Sequence, residues 1–319
     1  MESNIHYPTD SSLLSDGARV LTRTMKKITE LTGRAGTKLR NRMRTIGHRA
    51  MEIARTSRSK GPQVQKKLKQ GYRKLLTVTR KVLNQAKRFR EEIASGVKRT
   101  KNHDQKLVLQ ALRRDLETML PRVQQVIRQS RARVLGGDVH VAGKLVSVFE
   151  STTEVIRKGK ANKPTEFGKM VKIQEAENQI ITHYEVFAKR PKDADLLVPA
   201  VQKHEEQFGH VPQLVAGDAG FYSAGNEAEL QEMGVRQISV PNHRTKSPER
   251  RRHQKKRSFR KGQKWRTGAE GRISVLKRRH GLNRCRYRGD AGMQRWVGLG
   301  VIADNLINIG RFLAVTNSG

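Results

Sequence analysis

Between Arg19 and Lys101 the chain carries 26 Lys or Arg and only 4 Asp or Glu. Charges of one sign at that density repel each other in any compact arrangement. A folded form of this stretch therefore needs counter-charge from outside itself. The imbalance returns further along, where Arg244 to Arg288 hold 19 basic residues against two acids, Glu249 and Glu270. Over the whole 319 residues the formal net charge is +37. A polyanion is the implied partner, nucleic acid first and an anionic membrane surface second.

The membrane alternative is the weaker one. The longest apolar run, Trp296 to Val315, is interrupted by Asp304, Asn305, Asn308 and Arg311. A spanning helix wants about 20 mostly apolar residues, so a buried helix is expected here. No basic segment followed by an apolar core opens the chain, so no secretory signal is expected. The single cysteine, Cys285, excludes an intrachain disulfide and a cysteine-cluster metal site. A cytoplasmic location without a membrane is the expectation.

Three zones are expected. Residues 1–10 read as extended chain and a turn at Tyr7-Pro8-Thr9-Asp10. Residues 11–135 read as a basic, all-helical region. Its first helix spaces Leu13, Leu14, Val20, Leu21, Met25, Ile28 and Leu31 near helical periodicity and stops at Gly33. Further helices are expected over 38–57, 63–95 and 104–133. Residues 136–319 change character. Gly168–Glu177 and Gln179–Phe187 alternate and are rich in β-branched residues, which predicts a hairpin. A capped helix from Asp193 to Gly209 follows, then a short buried strand ending at Asp218. A helix closed by Gly234, a strand "VRQISVP", a basic loop, a helix from Trp265 to Arg279 and an apolar helix complete the order. Strands alternating with helices predict an α/β sheet with helices packed on it.

Two carboxylates stand out. Glu270 lies within an otherwise cationic helical pattern, on the face shared by Arg266, Ile273 and Lys277. It is either half of a surface i to i+4 ion pair or a functional acid kept amid bases. Asp218 emerges where an apolar strand ends, the place where ligands bind in open α/β sheets. It is either a turn-capping aspartate or a ligand. Together the two suggest a site for Mg2+ or Mn2+, hard ions that take carboxylate and phosphate oxygens. The flanking cations suit a phosphodiester backbone.

The stretches "VAGDAGFYS" and "WRTGAEGRISVLKRRHGLNRCRYRG" resemble the DDE transposases of bacterial insertion sequences. Arg266, Glu270 and Lys277 match that family's spacing, while its tyrosine three residues before the Arg stands as Gln263 here. "TEVIRKGKANKPTEFGKMVKI" (153–173) is similar to the stretch before the family's second catalytic Asp. The resemblance implies an RNase H-like mixed sheet with flanking helices, the basic helical region being inserted ahead of the hairpin. It implies Asp218 and Glu270 as catalytic metal ligands, with DNA held by Arg266, Lys277, Arg278, Arg279 and Arg284. Terminal inverted repeats and target DNA are the implied partners, a homodimer the implied assembly, and the bacterial nucleoid the implied location. By the same alignment the family's first Asp would lie upstream of Met1. The chain is then read as truncated at its N-terminus, with 1–10 the segment following the first catalytic strand. Asp10 and Asp138 are the substitutes considered for that Asp.

Two rival readings stand beside the enzyme. One is a truncated remnant that binds DNA without cutting it. The other is an unrelated RNA-binding protein, which accounts for the charge but not for the placement of Asp218 and Glu270. The run from Arg250 to Lys264 reads as a solvated loop or a phosphate-tracking arm. Trp265 and Trp296 are expected in the core; His243 and His280 could serve near phosphate, though a lone His is more often structural.

Overall fold

The computed structural model describes residues 1–32, 37–99, 102–157 and 165–316, and the side chains of 95–99 are left aside. Two compact units emerge. One is Ile5–Thr153, and the other joins Met1–Asn4 to Glu154–Gly319.

The first unit is helical: α1 (Asp10–Thr32), α2 (Met43–Thr56), α3 (Val64–Arg99) and α4 (His103–Gly136). Each basic helix keeps one apolar stripe. Leu14, Leu21 and Met25 of α1 meet Leu75 and Val82 of α3 and Leu116 and Val123 of α4 in one cluster. Gly17 permits the α1–α4 approach, because a Cβ there would stand 2.6 Å from Val123 Cγ2. Asn102 caps α4 by accepting from the Gln105 N–H at 3.0 Å, and Gly137 ends it in the left-handed conformation. The stop expected at Gly33 lies outside the described residues. Residues 136–153, grouped by sequence with the last zone, pack with the helices instead, and Val148 is fully buried in their core.

The second unit mixes strands and helices. Its strands are β1 (Glu154–Arg157), β2 (Thr165–Gly168), β3 (Val171–Glu175), β4 (Ile181–Val186), β5 (Leu214–Ala216) and β6 (Gln237–Ser239). Its helices are α5 (Leu197–Phe208), α6 (Ala224–Glu232), α7 (Pro248–Lys255), α8 (Arg257–Arg279) and α9 (Gly289–Thr316). The expected hairpin forms as the antiparallel pair β3–β4, and β1–β2 is a second antiparallel pair. The pair β5–β6 is parallel, with α6 between its strands in sequence. A single mixed sheet is expected from the sequence; among the described residues the strands pair as three two-stranded ladders. Met1–Ser3 adds an extended segment beside β2: Ser3 N donates to Phe167 O at 2.9 Å and Cys285 N to Glu2 O at 2.8 Å.

Three expectations change. The basic loop after β6 is helical, because Ser247 caps α7 and Pro248 opens it, and α8 starts at Arg257 rather than near Trp265. Trp265 is 41% exposed and lies outside the core, whereas Trp296 packs against it. The apolar helix α9 is buried along one side only. Val297 and Val301 are in the core, while Leu299, Ile302 and Leu306 are exposed. By length and composition α9 could cross a membrane, yet Asp304 on it is 1% exposed and ion-paired with Arg272.

Candidate active site

The parallel pair β5–β6 sets the position of Asp218. Val215 and Ile238 bury the pair against Leu197, Val201 and Leu230. The chain leaves β5 through Gly217, whose N–H donates to Ser239 O at 3.4 Å, and reaches Asp218 in extended conformation. A short 3₁₀ turn, Ala219–Phe221, follows directly. Asp218 stands at the capping position of that turn, but its side chain makes no capping bond. The carboxylate is left to face outward, and its side chain is 62% exposed.

Helix α8 brings the other residues to it. Gly262 sits where the helix crosses the strand pair. A Cβ at this position would stand 2.7 Å from Ser239 Cβ and 3.2 Å from Leu214 Cδ1. Ser239 is fully buried, so neither side can yield without moving backbone. Gly262→Ala is expected to destabilise this unit by about 1–3 kcal/mol, read as a lower denaturation midpoint. An unchanged midpoint would mean that α8 does not rest on β5–β6. One residue on, Gln263 donates from Nε2 to Gly217 O at 3.2 Å and also to Ser239 O. It thus ties α8 to the ends of both strands.

One turn further, Arg266 reaches two carboxylates at once. Its guanidinium pairs with Asp218 Oδ1, 48 residues away in sequence, and with Glu270 Oε1 at 3.0 Å. An isolated surface i to i+4 pair would not recruit an acid from another element. The shared guanidinium brings the two acids that the sequence singles out to one place. The Asp218 side chain makes no bond to its own turn, and Glu270 shares Arg266 with an acid from another element. Two formal negative charges converge on one positive charge, with both acids 62% exposed and Arg266 at 22%.

The remaining cations spread along the same helix and beyond. Lys277 lines a cavity of about 290 Å3 together with Glu166, Lys169, Arg190 and Asp193. Asp193 also lies against the turn after Asp218: a Cβ on Gly220 would stand 2.9 Å from its Oδ2. Arg278 and Arg279 are exposed in the last turn of α8, and exposed Arg284 lies in the segment that bridges to Glu2. Asp10 and Asp138 have local employment. Asp10 is 3% exposed and paired with Arg133 at 2.6 Å, and Asp138 accepts the His140 N–H at 2.8 Å.

Behind the site is a buried polar cluster that the sequence reading did not pick out. Arg272, 6% exposed, donates to Asp304 at 3.0 and 3.2 Å. His280 Nε2 lies 3.2 Å from the same carboxylate, and Asn308 donates to it at 3.2 Å. Burial pushes the nearby Glu175 carboxyl above its ordinary range; Arg272 pulls it down and Asp304 pushes it up further. Arg272 is two residues past Glu270, so it points to the opposite side of α8. His280 thus takes the structural role expected of it. A run of cations hid Arg272; its one sequence signal is Asp304 and Asn308, polar residues a turn apart in an apolar helix.

Residues 230–309 match the family model of the transposase DDE domain. The matched stretch contains Arg266, Glu270, Lys277 and most of α9, and Asp218 precedes it. No curated protein and no solved structure matches the chain.

Proposed function

We propose that this chain, whose residues 230–309 match the family model of the transposase DDE domain, cuts and rejoins DNA phosphodiesters at the ends of an insertion sequence. The observation that carries this reading is the convergence of Asp218 and Glu270 on one guanidinium at the carboxyl end of β5. Two exposed carboxylates are the donor set that Mg2+ or Mn2+ takes, with water and substrate phosphate completing the shell. Asp218 and Glu270 are the residues that would hold such an ion; among the described residues no group of three His, Cys, Asp or Glu converges. When bound, it would supply charge neutralisation at the phosphate and a more acidic attacking water or hydroxyl.

The chain's own residues do the rest. Arg266 holds the two acids together in the free protein, which keeps the pair from repelling apart. Its charge also lies where a DNA phosphate would approach, and Arg and phosphate pair through parallel hydrogen bonds. Lys277, Arg278, Arg279 and Arg284 extend the positive surface along the backbone of the DNA. The helical unit would hold the inverted repeats, and a homodimer would bring two ends together.

The second reading is a chain that binds DNA without cutting it. What favours it is that the resemblance implies three carboxylates and the described residues bring two together. One experiment separates the two. The protein is mixed with a supercoiled plasmid carrying the DNA that flanks its coding region, with Mg2+, Mn2+ or a chelator. Nicks that require the metal support the enzyme. Salt-sensitive binding with no nick in either metal supports the binding protein. Failure of both sinks both.

A further inference from the structure

Away from the site just described, the helical unit has an open groove of about 790 Å3 between α3 and α4. Leu83 and Ile127 form its floor. Its rim is cationic on both sides, with Arg80 and Lys87 from α3 and Arg128 and Arg131 from α4. The lining includes no carboxylate and no aromatic ring. Arg80 and Lys87 are two turns apart on one face, about 10 Å along the helix.

Arg128 is held in place by a neutral group. Its Nε donates to Gln125 Oε1 at 2.9 Å. Gln125 is 9% exposed, and its Nε2 donates to Ala142 O at 3.1 Å and to Gly143 O at 2.9 Å. Those two bonds fix the amide so that its oxygen faces Arg128. The guanidinium is therefore oriented without being neutralised. Some arginines of the unit do pair with acids, as Arg49 with Glu52 and Arg113 with Glu117, both at 2.8 Å. Arg80, Lys87 and Arg131 have no acidic partner among the described residues.

We propose that this groove seats the sugar–phosphate backbone of duplex DNA, with Arg128 as its fixed anchor. The proposal rests on the reading that the chain acts on DNA, and it names where the helical unit would grip. Four uncompensated cations around one groove match a line of phosphates. Single-strand sites stack bases on aromatic rings, which this lining lacks, so contact to a duplex backbone is the fit.

The test is the binding of the full chain to a labelled duplex of about 30 base pairs, followed by anisotropy over a range of salt. The variant R80Q/K87Q/R128Q/R131Q should bind roughly 100-fold more weakly at moderate salt, and its salt slope should be shallower by about 3 to 4. The control R23Q/K27Q/R44Q/R55Q removes the same charge from exposed positions of α1 and α2 outside the groove lining. It should stay within about threefold of the unaltered chain if only groove cations meet phosphates. Thermal melting checks that each variant is folded, and R128Q alone provides a milder version. Equal losses in the two quadruple variants would overturn the groove while leaving DNA binding intact. A single strand bound more tightly than the duplex would overturn the duplex assignment. No binding by the unaltered chain would sink the DNA reading itself, which the plasmid assay reports independently.

Discussion

Glu270→Gln is expected to lower strand cleavage by at least about a thousandfold, equivalent to about 4 kcal/mol of transition-state stabilisation, and to leave DNA binding within a few fold. The two effects separate because of the charges involved. Glutamine keeps the size and the side-chain oxygen but loses the negative charge that a divalent ion needs. Phosphate binding needs the opposite sign, so removing an acid from a DNA-facing surface cannot weaken it electrostatically. Arg266 then answers to Asp218 alone instead of to both acids, and its charge is freer to meet a phosphate. Asp218→Asn should behave in the same way, since its carboxylate is equally exposed and meets the same guanidinium. The plasmid nicking assay and the anisotropy titration, run on the same preparations, check both. Equal loss of cleavage and binding would sink the assignment of Glu270 as a metal ligand. Undiminished cleavage would place the chemistry elsewhere in the chain.

What the sequence made legible about this site was spacing and local context. Asp218 follows an apolar strand and precedes Ala-Gly, and Arg266 and Glu270 are one helical turn apart. Those facts survive into the structure because they depend only on local geometry. What joins the two segments could not be read the same way. The α8 crossing depends on Gly262 meeting Ser239 and on Gln263 bonding to Gly217 and Ser239, contacts between residues far apart in sequence. Likewise, a run of 19 cations looks uniform, yet its members differ. Arg250 pairs with Glu227, donates to Val240 O at 2.8 Å and lies over the Tyr222 ring. It is a structural residue inside a stretch that composition alone assigns to solvent or phosphate. The hairpin β3–β4 was legible from alternation over five or six residues a strand. The pair β1–β2 was not, because four-residue strands with charged members carry too little pattern.

The second large effect concerns the cluster behind α8. Asp304→Ala should destabilise the strand-bearing unit by about 3–5 kcal/mol, a fall of roughly 10 °C in its melting midpoint. The cost does not equal the worth of the ion pair. Arg272 is 6% exposed, so losing its partner leaves a buried charge with nothing opposite it. Its Nε is already buried without a hydrogen-bond partner, which leaves little slack. Glu175 offers partial relief. Asp304 is one of the charges that keep the Glu175 carboxyl above its ordinary range, so removing Asp304 lets Glu175 ionise more readily beside Arg272. Adding Glu175→Gln should therefore make the Asp304→Ala loss larger than the two single losses together. Replacing both members of the pair, as in R272M/D304L, should recover part of the stability, because neither charge of the pair is left stranded, while Asn308 and His280 still lose the carboxylate they face. Differential scanning calorimetry of the four variants decides the matter. If the double replacement melts as low as Asp304→Ala, the loss comes from packing rather than from an orphaned guanidinium. If it recovers, the pair's distinct contribution is orientation. Arg272 fixes the rotation of α8 from the face opposite Glu270, and cleavage by R272M/D304L should then remain low although the fold is restored.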